Sequence, residues 1–380
     1  MADCYRGAVN AKGPQRDLGI DVARGLAVLL MFQTHAYDAY VAAPFRASLG
    51  YRVTRELGAS PAPSFLLLAG VGVALGELAM ARAGASAAAT RARFIRRGLE
   101  VVATGYLVNA VYALIDRSIA PQTLLRADIL HVIGLSIVVV AALLVGRPGR
   151  AGVAVAVAIV ALTLALPIAL GDTLQRALPV TSSWMGALLR APLALFVDVP
   201  GYAHFPLFPL VGFTSLGVLV GRSLAALPTP ARAGQALVAL LLCVAAAAGL
   251  SFATRASVAA LALGPLTRAH PAVVLNLADG TMRACAVLSL GLLLAAVLPG
   301  RVLGPIVRLG RGSLFAYVVH IPGCYSALAR PLVRRFDLLG ASAALAVLAF
   351  ATYLVVWARD AVRDRLRARR ASERRAIPAP

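Results

Sequence analysis

The hydrophobic positions of the chain form long runs that are separated by short polar segments. Each run is close to the roughly 20 residues that an α-helix needs to cross the hydrocarbon core of a bilayer. We therefore predict ten membrane-spanning helices, with both chain termini on the same side of the membrane. The predicted spans are about 18–38, 62–82, 97–115, 128–146, 151–170, 205–221, 233–252, 277–298, 313–330 and 339–358.

The composition supports this pattern, since 60% of the 380 residues are hydrophobic and only 14% are charged. A soluble globule must cover its surface with polar groups, so this balance excludes a soluble enzyme, a disordered chain and a collagen-like chain. The four cysteines show no CxxC pairing and no metal-ligand spacing, which excludes a disulfide scaffold and gives no reason to expect a metal. The predicted fold class is an all-α, polytopic transmembrane helical bundle.

The net charge of +21 comes from 37 basic and 16 acidic residues. In a soluble chain such an excess would suggest a nucleic-acid partner, but here most arginines lie between predicted spans, as the positive-inside rule describes. We therefore expect a lipid bilayer and no nucleic acid as partner, with both termini cytoplasmic. The predicted divisions are a cytosolic tail at 1–16, a transmembrane domain at 17–358 and a basic cytosolic tail at 359–380. Residues 360–375 are either a helix or a disordered tail that can contact anionic lipid.

Ionisable residues interrupt the first predicted span. Asp21 and Arg24 are three residues apart and can pair on one helical face. His35 follows Arg24 by eleven residues, which is within roughly 20° of the same face and a rise of roughly 16 Å, and Asp38 follows after three more. Because charges are costly in lipid, this polar stripe should face protein or a water-filled cavity. The alternatives are that Arg24 only neutralises Asp21, and that His35 only makes an interhelical hydrogen bond.

A second polar set lies at the predicted outer end of the fourth span. Asp128 and His131 form an i, i+3 pair there, and a nearby carboxylate can orient an imidazole ring and raise its basicity. Interfacial anchoring is the alternative for this set. His204 is expected on the same side. His320 is expected near the middle of the membrane, either in an interhelical hydrogen bond or lining a pore.

A basic cluster, RARFIRR, precedes the third span on the predicted cytosolic side. Its arginines offer forked, permanently charged donors to phosphate groups, and Arg93, Arg96 and Arg97 are the candidates. Positive-inside topology alone is the alternative explanation. No Gly-rich phosphate loop, Ser-His-Asp order or HExxH motif is present.

The spacing of Arg24 and His35 resembles the R-x10-H signature of the acyltransferase-3 family. The wider pattern is more similar to a related family, the bacterial members of the heparan-alpha-glucosaminide N-acetyltransferase catalytic-domain family. The similar segments follow one another in family order and cover most of residues 16–325. They are IDVARGLAVLLMFQTH, PSFLLLAGVGVALG, FIRRGLEVV, LRADILHVIGLS, FPLFPLVGFTSLGVLVGR and LGRGSLFAYVVHIPG.

This resemblance implies an enzyme that transfers an acyl group, expected to be acetyl, from cytosolic acyl-CoA. The acceptor would be a hydroxyl or amine of a carbohydrate-like molecule at the opposite face, in the plasma (inner) membrane of a bacterium. His35 would be the base or the acyl carrier, and Asp128 or Asp38 could hold its tautomer, with His131 beside them. Arg24 would contact coenzyme A or have a structural role.

The remaining candidates for the coenzyme A side are assigned by position along the chain. They are Asp21, Arg93, Arg96 and Arg97. One departure from the family pattern stands out, because the lysosomal sugar acetyltransferase has its catalytic His in the loop after the first span, and 41–61 contains no His. The catalytic assignment of His35 therefore rests on the acyltransferase-3 spacing.

The rival hypothesis is a transporter or flippase that uses the same polar stripe without chemistry. Many transporters contain internal repeats and broken helices at their binding sites. Neither an internal repeat nor a clearly broken helix pair is evident in the sequence. A structural or assembly protein of the membrane is the third hypothesis.

Overall fold

The computed structural model describes residues 17–117, 120–177, 183–197, 199, 202, 205–257 and 271–376. Over these residues the chain is helical, with one isolated bridge between Val41 and Phe336 and no strand, so the all-α prediction is confirmed. The predicted N-terminal tail, most of the segment around His204 and the last four residues lie outside the described part.

The α-helices are numbered in chain order. They are α1 (Leu18–Tyr40), α2 (Leu49–Gly58), α3 (Pro61–Arg82), α4 (Ala87–Ile115), α5 (Pro121–Leu124), α6 (Ile129–Leu144), α7 (Gly149–Ala177), α8 (Trp184–Ala194), α9 (Leu207–Ala226), α10 (Thr229–Ser257), α11 (Pro271–Val297), α12 (Gly300–Arg311), α13 (Ser313–Tyr325) and α14 (Leu338–Ala376). Two short 3-10 helices cover Ala43–Ala47 and Ala327–Ala329.

Among the described residues, six helices are long and apolar enough to cross a membrane. They contain α3, α4, α7, α9, α11 and α14, and each coincides with a predicted span. Helix α6 and the Ala231–Cys243 part of α10 are apolar but shorter. The protein is therefore an integral membrane protein, while the number of ten spans and the side of the termini stay predictions.

The predicted span 313–330 differs from the observed structure. Helices α12 and α13 meet at an angle of 77° and together form either a broken span or a re-entrant pair. At this break the helix that ends at Arg311 is capped by Gly312, where a Cβ would lie 2.9 Å from Cγ1 of Val356, so glycine lets α14 approach the bend closely. The expectation that the chain has no broken helix pair was wrong.

Helix α1 is the centre of the bundle, since it packs against α3, α11, α12, α13 and α14. Its contact with α12 depends on glycine, because a Cβ at Gly310 would lie 2.0 Å from the carbonyl oxygen of Asp21. A Cβ at Gly25 would lie 2.2 Å from the carbonyl oxygen of Ile306 on the same neighbour. Small residues of this kind let two membrane helices approach closely. The approach brings the end of α12 beside the polar residues of α1.

The basic C-terminal segment is helical as far as the structure describes it. Helix α14 runs unbroken for 39 residues, from Leu338 to Ala376, so the segment after residue 358 continues an apolar helix rather than starting a separate element. Of the two alternatives for residues 360–375, the structure has the helix.

Candidate active site

A cavity of about 1450 Å³ lies between α1, α3, α4, α6 and α13. Arg24, His35 and Asp38 all line it, so the polar stripe predicted along α1 faces one cavity. Arg24 and Asp38 are fourteen residues apart, which is roughly 21 Å along the helix axis. The cavity therefore extends over most of the length of α1. We name its two ends by their residues: the arginine end and the histidine end.

The arginine end is formed by Arg24, Gly72, Phe94 and Arg97. Arg24 lies against α3, where its Nη2 is 3.5 Å from the carbonyl oxygen of Leu68 and where a Cβ at Gly72 would come within 2.8 Å of it. Arg97 comes from α4 and also pairs with Glu100, at 3.2 Å. Two guanidinium groups on different helices thus converge at one end of the cavity.

The structure does not bring the other two arginines of the predicted cluster into the cavity. Arg93 and Arg96 are exposed, and Arg96 pairs with Glu100 at 3.9 Å. Arg96 lies on a different face of α4 from Phe94 and Val101. Arg93 lies one turn before Arg97 and precedes Phe94, the first position of α4 that lines the cavity.

Asp21 does not line the cavity but lies behind the arginine end, with its side chain only 4% exposed. Its nearer partner is Arg311 of α12, whose Nε donates to Oδ2 at 2.8 Å, while Arg24 Nη1 is 3.8 Å from Oδ1. The alternative that Arg24 serves only to neutralise Asp21 loses its main argument, because Arg311 supplies a closer positive charge.

The histidine end is formed by His35 and Asp38 of α1, Tyr325 of α13 and Arg46. Nδ1 of His35 lies 2.8 Å from Nε2 of His320, and the two ring planes are within 4° of parallel with their centroids 5.1 Å apart. The ring of Tyr325 meets His35 edge-on at 5.4 Å. An interhelical hydrogen bond, one alternative for both His35 and His320, is therefore present, and it forms at the wall of the cavity.

Asp38 is joined to this end by two neighbours. The hydroxyl of Tyr325 donates to its Oδ2 at 3.0 Å, and Arg46 Nη1 is 3.8 Å from its Oδ1. Tyr325 therefore contacts both Asp38 and His35 and lies between them.

Asp128 and His131 form a helix cap. Nδ1 of His131 accepts from the backbone N–H of Asp128 at 3.0 Å, while the Asp128 carboxylate accepts from Ile129 N at 2.7 Å and lies 3.4 Å from Arg126. This is the reciprocal capping arrangement that starts a helix. The His131 ring is thus oriented by the backbone N–H of Asp128 and not by its carboxylate.

The two capping residues also differ in their relation to the cavity. Asp128 lines it, whereas the fully buried His131 ring packs against Gly105 and meets Tyr106 edge-on at 4.2 Å. His131 therefore belongs to the packing of α4 on α6.

Sequence reasoning missed three features of this site: Tyr325, the pairing of His320 with His35, and the pairing of Arg311 with Asp21. The sequence predicts His320 at a different depth from His35, because it predicts one straight helix over 313–330. The bend before α13 places both rings at the same depth. A sequence signal was present in the polar aromatic pair His320 and Tyr325 within an apolar segment.

Residues 16–257, more than half of the chain, match the family described as heparan-alpha-glucosaminide N-acetyltransferase, catalytic. The chain belongs to this family. No curated protein matches the chain.

Membership in the heparan-alpha-glucosaminide N-acetyltransferase family makes the protein an acyltransferase with transmembrane acetyltransferase activity in the general sense. The matched region contains α1, α3, α4 and α6, which supply most of the cavity wall. It ends before α13, which supplies Tyr325 and His320. The transporter hypothesis receives no support from the family.

Proposed function

We propose that the protein transfers an acetyl group from cytosolic acyl-CoA to a hydroxyl or amine of a carbohydrate-like acceptor at the opposite face of a bacterial plasma membrane. The observation that supports this is the single cavity that joins two arginines at one end to an imidazole at the other. A transfer across the membrane needs such a path, because donor and acceptor enter from different sides.

The arginine end suits the donor. Arg24 and Arg97 present forked, permanently charged groups that recognise phosphate oxygens, which coenzyme A carries at its nucleotide end. The positive-inside rule places the arginine-rich start of α4 on the cytosolic side, where acyl-CoA is available. The pantetheine arm would then extend along the apolar lining between the two ends of the cavity, which includes Met31, Phe65 and Val101.

The histidine end suits the acceptor. Amide and hydroxyl groups that can bond to sugar hydroxyls line this part together with aromatic rings that can lie against a sugar face. These side chains are Gln33, Thr34, Tyr37, Tyr51, Thr54, Asn109, Tyr112, Thr123 and Tyr325.

The proposed reaction is a direct transfer with His35 as general base. The imidazole takes the proton of the acceptor hydroxyl or amine while that oxygen or nitrogen forms a bond to the thioester carbonyl carbon. The C–S bond then breaks, the acetyl group stays on the acceptor, and the leaving coenzyme A thiolate receives the proton. No oxidant, metal or further reactant is needed to balance this step.

The test uses the full chain in lipid nanodiscs. We expect saturable binding of acetyl-CoA by calorimetry, and release of coenzyme A thiol when glucosamine or glucose is added as an amine or hydroxyl probe. Replacement His35→Ala should lower thiol release by about 10²–10⁴-fold, the usual contribution of a general base, and leave acetyl-CoA binding intact. A folded wild type that binds neither acetyl-CoA nor a longer acyl-CoA would contradict the proposal.

A further inference from the structure

The contact between His35 and His320 determines where each ring carries its proton. A neutral imidazole has one N–H donor and one acceptor nitrogen. Nδ1 of His320 lies 2.9 Å from the carbonyl oxygen of Ala316, one turn earlier in α13, and a carbonyl oxygen can only accept. The proton of a neutral His320 is therefore on Nδ1, and its Nε2 is an acceptor.

The same argument continues to the next ring. Nε2 of His320 is 2.8 Å from Nδ1 of His35, so this bond needs the proton of His35 on Nδ1. The lone pair of a neutral His35 then lies on Nε2. The hydrogen bond made by one nitrogen of a histidine decides the role of the other.

Packing prevents the His320 ring from leaving this orientation. The side chain is completely buried, and its ring centroid lies 4.8 Å from that of Phe32, 5.8 Å from that of Tyr317 and 5.1 Å from that of His35. A flip of the ring by 180° would break the bonds to both Ala316 and His35 at once.

We propose that His320 is a positioning residue that selects the tautomer of His35 and so makes Nε2 of His35 the basic atom. The role of Nε2 in acyl transfer rests on the proposed function, whereas the tautomer itself does not. When His35 gains a proton from the acceptor, its Nδ1–H···Nε2 bond to His320 becomes charge-assisted and therefore stronger. His320 thus supports the proton transfer without contacting the substrate.

The direct test is the protonation state of the two rings. The full chain in nanodiscs is labelled with ¹⁵N in its histidines, and the ring nitrogen shifts are recorded at a pH where both rings are neutral. Signals are assigned to His35 and His320 by their loss in His35→Gln and His320→Gln. We expect both rings to carry the proton on Nδ1. A wild-type spectrum with the proton of either ring on Nε2 would overturn the proposal.

Two substitutions at one position separate the hydrogen bond from the packing. His320→Leu removes the acceptor, and we expect His35 to populate the Nε2–H form, with kcat about 10²-fold lower and KM for acetyl-CoA unchanged. His320→Gln keeps an amide oxygen that can accept from Nδ1 of His35, and it should retain the Nδ1–H form and recover most of kcat. Equal loss in both variants, with His35 still on Nδ1 in each, would assign His320 to packing alone and overturn the proposal.

The ¹⁵N spectrum of the histidine rings tests this inference independently of the proposed function. If both rings carry the proton on Nδ1 but His35→Ala retains full turnover, the tautomer assignment stands and the catalytic role of His35 fails. If His320→Leu does not fold, the wild-type spectrum and the His320→Gln variant still decide the question.

Discussion

The two ends of the cavity are built in different ways. At the arginine end the groups are charged and solvated, and the Arg97 side chain is 55% exposed while it pairs with Glu100. At the histidine end the central contact is a bond between two rings, and His320 is 0% exposed. Long charged side chains can follow a ligand with several phosphate groups, whereas a base must be held in one orientation. The arginine end is therefore suited to binding a flexible donor, and the histidine end is suited to holding a base in the orientation that proton transfer needs.

The largest effect that tests this comparison is expected at Arg24. Arg24→Gln removes a charged donor, which is worth about 1.5–3 kcal/mol, or roughly 10- to 150-fold in the Kd for acetyl-CoA. Calorimetry in nanodiscs measures it. The matched control is Arg82→Gln, since Arg82 is an exposed arginine at the end of α3 that does not line the cavity. If both variants weaken the binding of acetyl-CoA equally, the binding depends on surface charge in general and not on Arg24.

The second effect concerns how the arginine end is held in place. Gly310→Ala puts a methyl group 2.0 Å from the carbonyl oxygen of Asp21, so α12 must move away from α1. We expect a loss of about 1–3 kcal/mol in stability, the usual range for overpacking, and weaker pairing of Arg311 with Asp21.

Gly304→Ala is the control in the same helix, because no atom lies within 4 Å of a Cβ there. It should leave the stability equal or higher, as alanine favours helices by about 1 kcal/mol. Thermal unfolding of both variants in the same lipid measures the difference. A Gly310→Ala protein as stable as wild type would show that α1 and α12 are not in close contact.

A smaller effect is expected at the edge of the histidine end. Tyr325→Phe removes the hydroxyl that donates to Asp38 and keeps the ring beside His35. The loss of one hydrogen bond of about 1 kcal/mol should lower kcat/KM roughly fivefold. Tyr40→Phe is the control, because its hydroxyl donates to the Gly323 carbonyl at 2.7 Å and the residue does not line the cavity. A larger loss in Tyr40→Phe than in Tyr325→Phe would contradict this assignment.

The smallest effect on turnover is expected at His131. His131→Gln should retain kcat, because glutamine is a usual partner at this position of a capping box. His131→Ala should cost about 2–5 kcal/mol in stability, because it removes a buried ring that packs against Gly105 as well as the cap. Thiol release measures the effect on turnover, and thermal unfolding measures the effect on stability. If the His131→Gln protein is stable but has no turnover, His131 takes part in catalysis and the assignment to a helix cap alone is wrong.

Much of the arginine end could be predicted from the sequence. The spacing of Arg24, His35 and Asp38 on one helix follows from helical geometry, and the cavity confirms that these residues share a face. The run of arginines before α4 could be found as well, but which of them faces the cavity depends on the rotation of α4. That rotation is set by packing against α6, so Arg97 lines the cavity and Arg96, on another face of the helix, does not.

The histidine end was harder to predict, because it joins residues nearly three hundred positions apart in the chain. His320 was recognised as a polar residue in an apolar segment, yet its partner depends on a bend of 77° between α12 and α13. The pair Asp128 and His131 was easy to find in the sequence but hard to interpret. Its i, i+3 spacing is compatible with a catalytic contact, and a helix cap requires the same spacing.

Hydropathy and helical period act over neighbouring residues, so the class of the protein, the course of α1 and its polar stripe follow from the amino-acid sequence. Which groups complete that stripe depends on how the helices pack. Close approach of α12 at Gly310 gives Asp21 its partner Arg311, and the placement of α13 gives His35 its partner His320. These contacts depend on backbone distances and helix angles, and such distances are fixed only when the helices pack together.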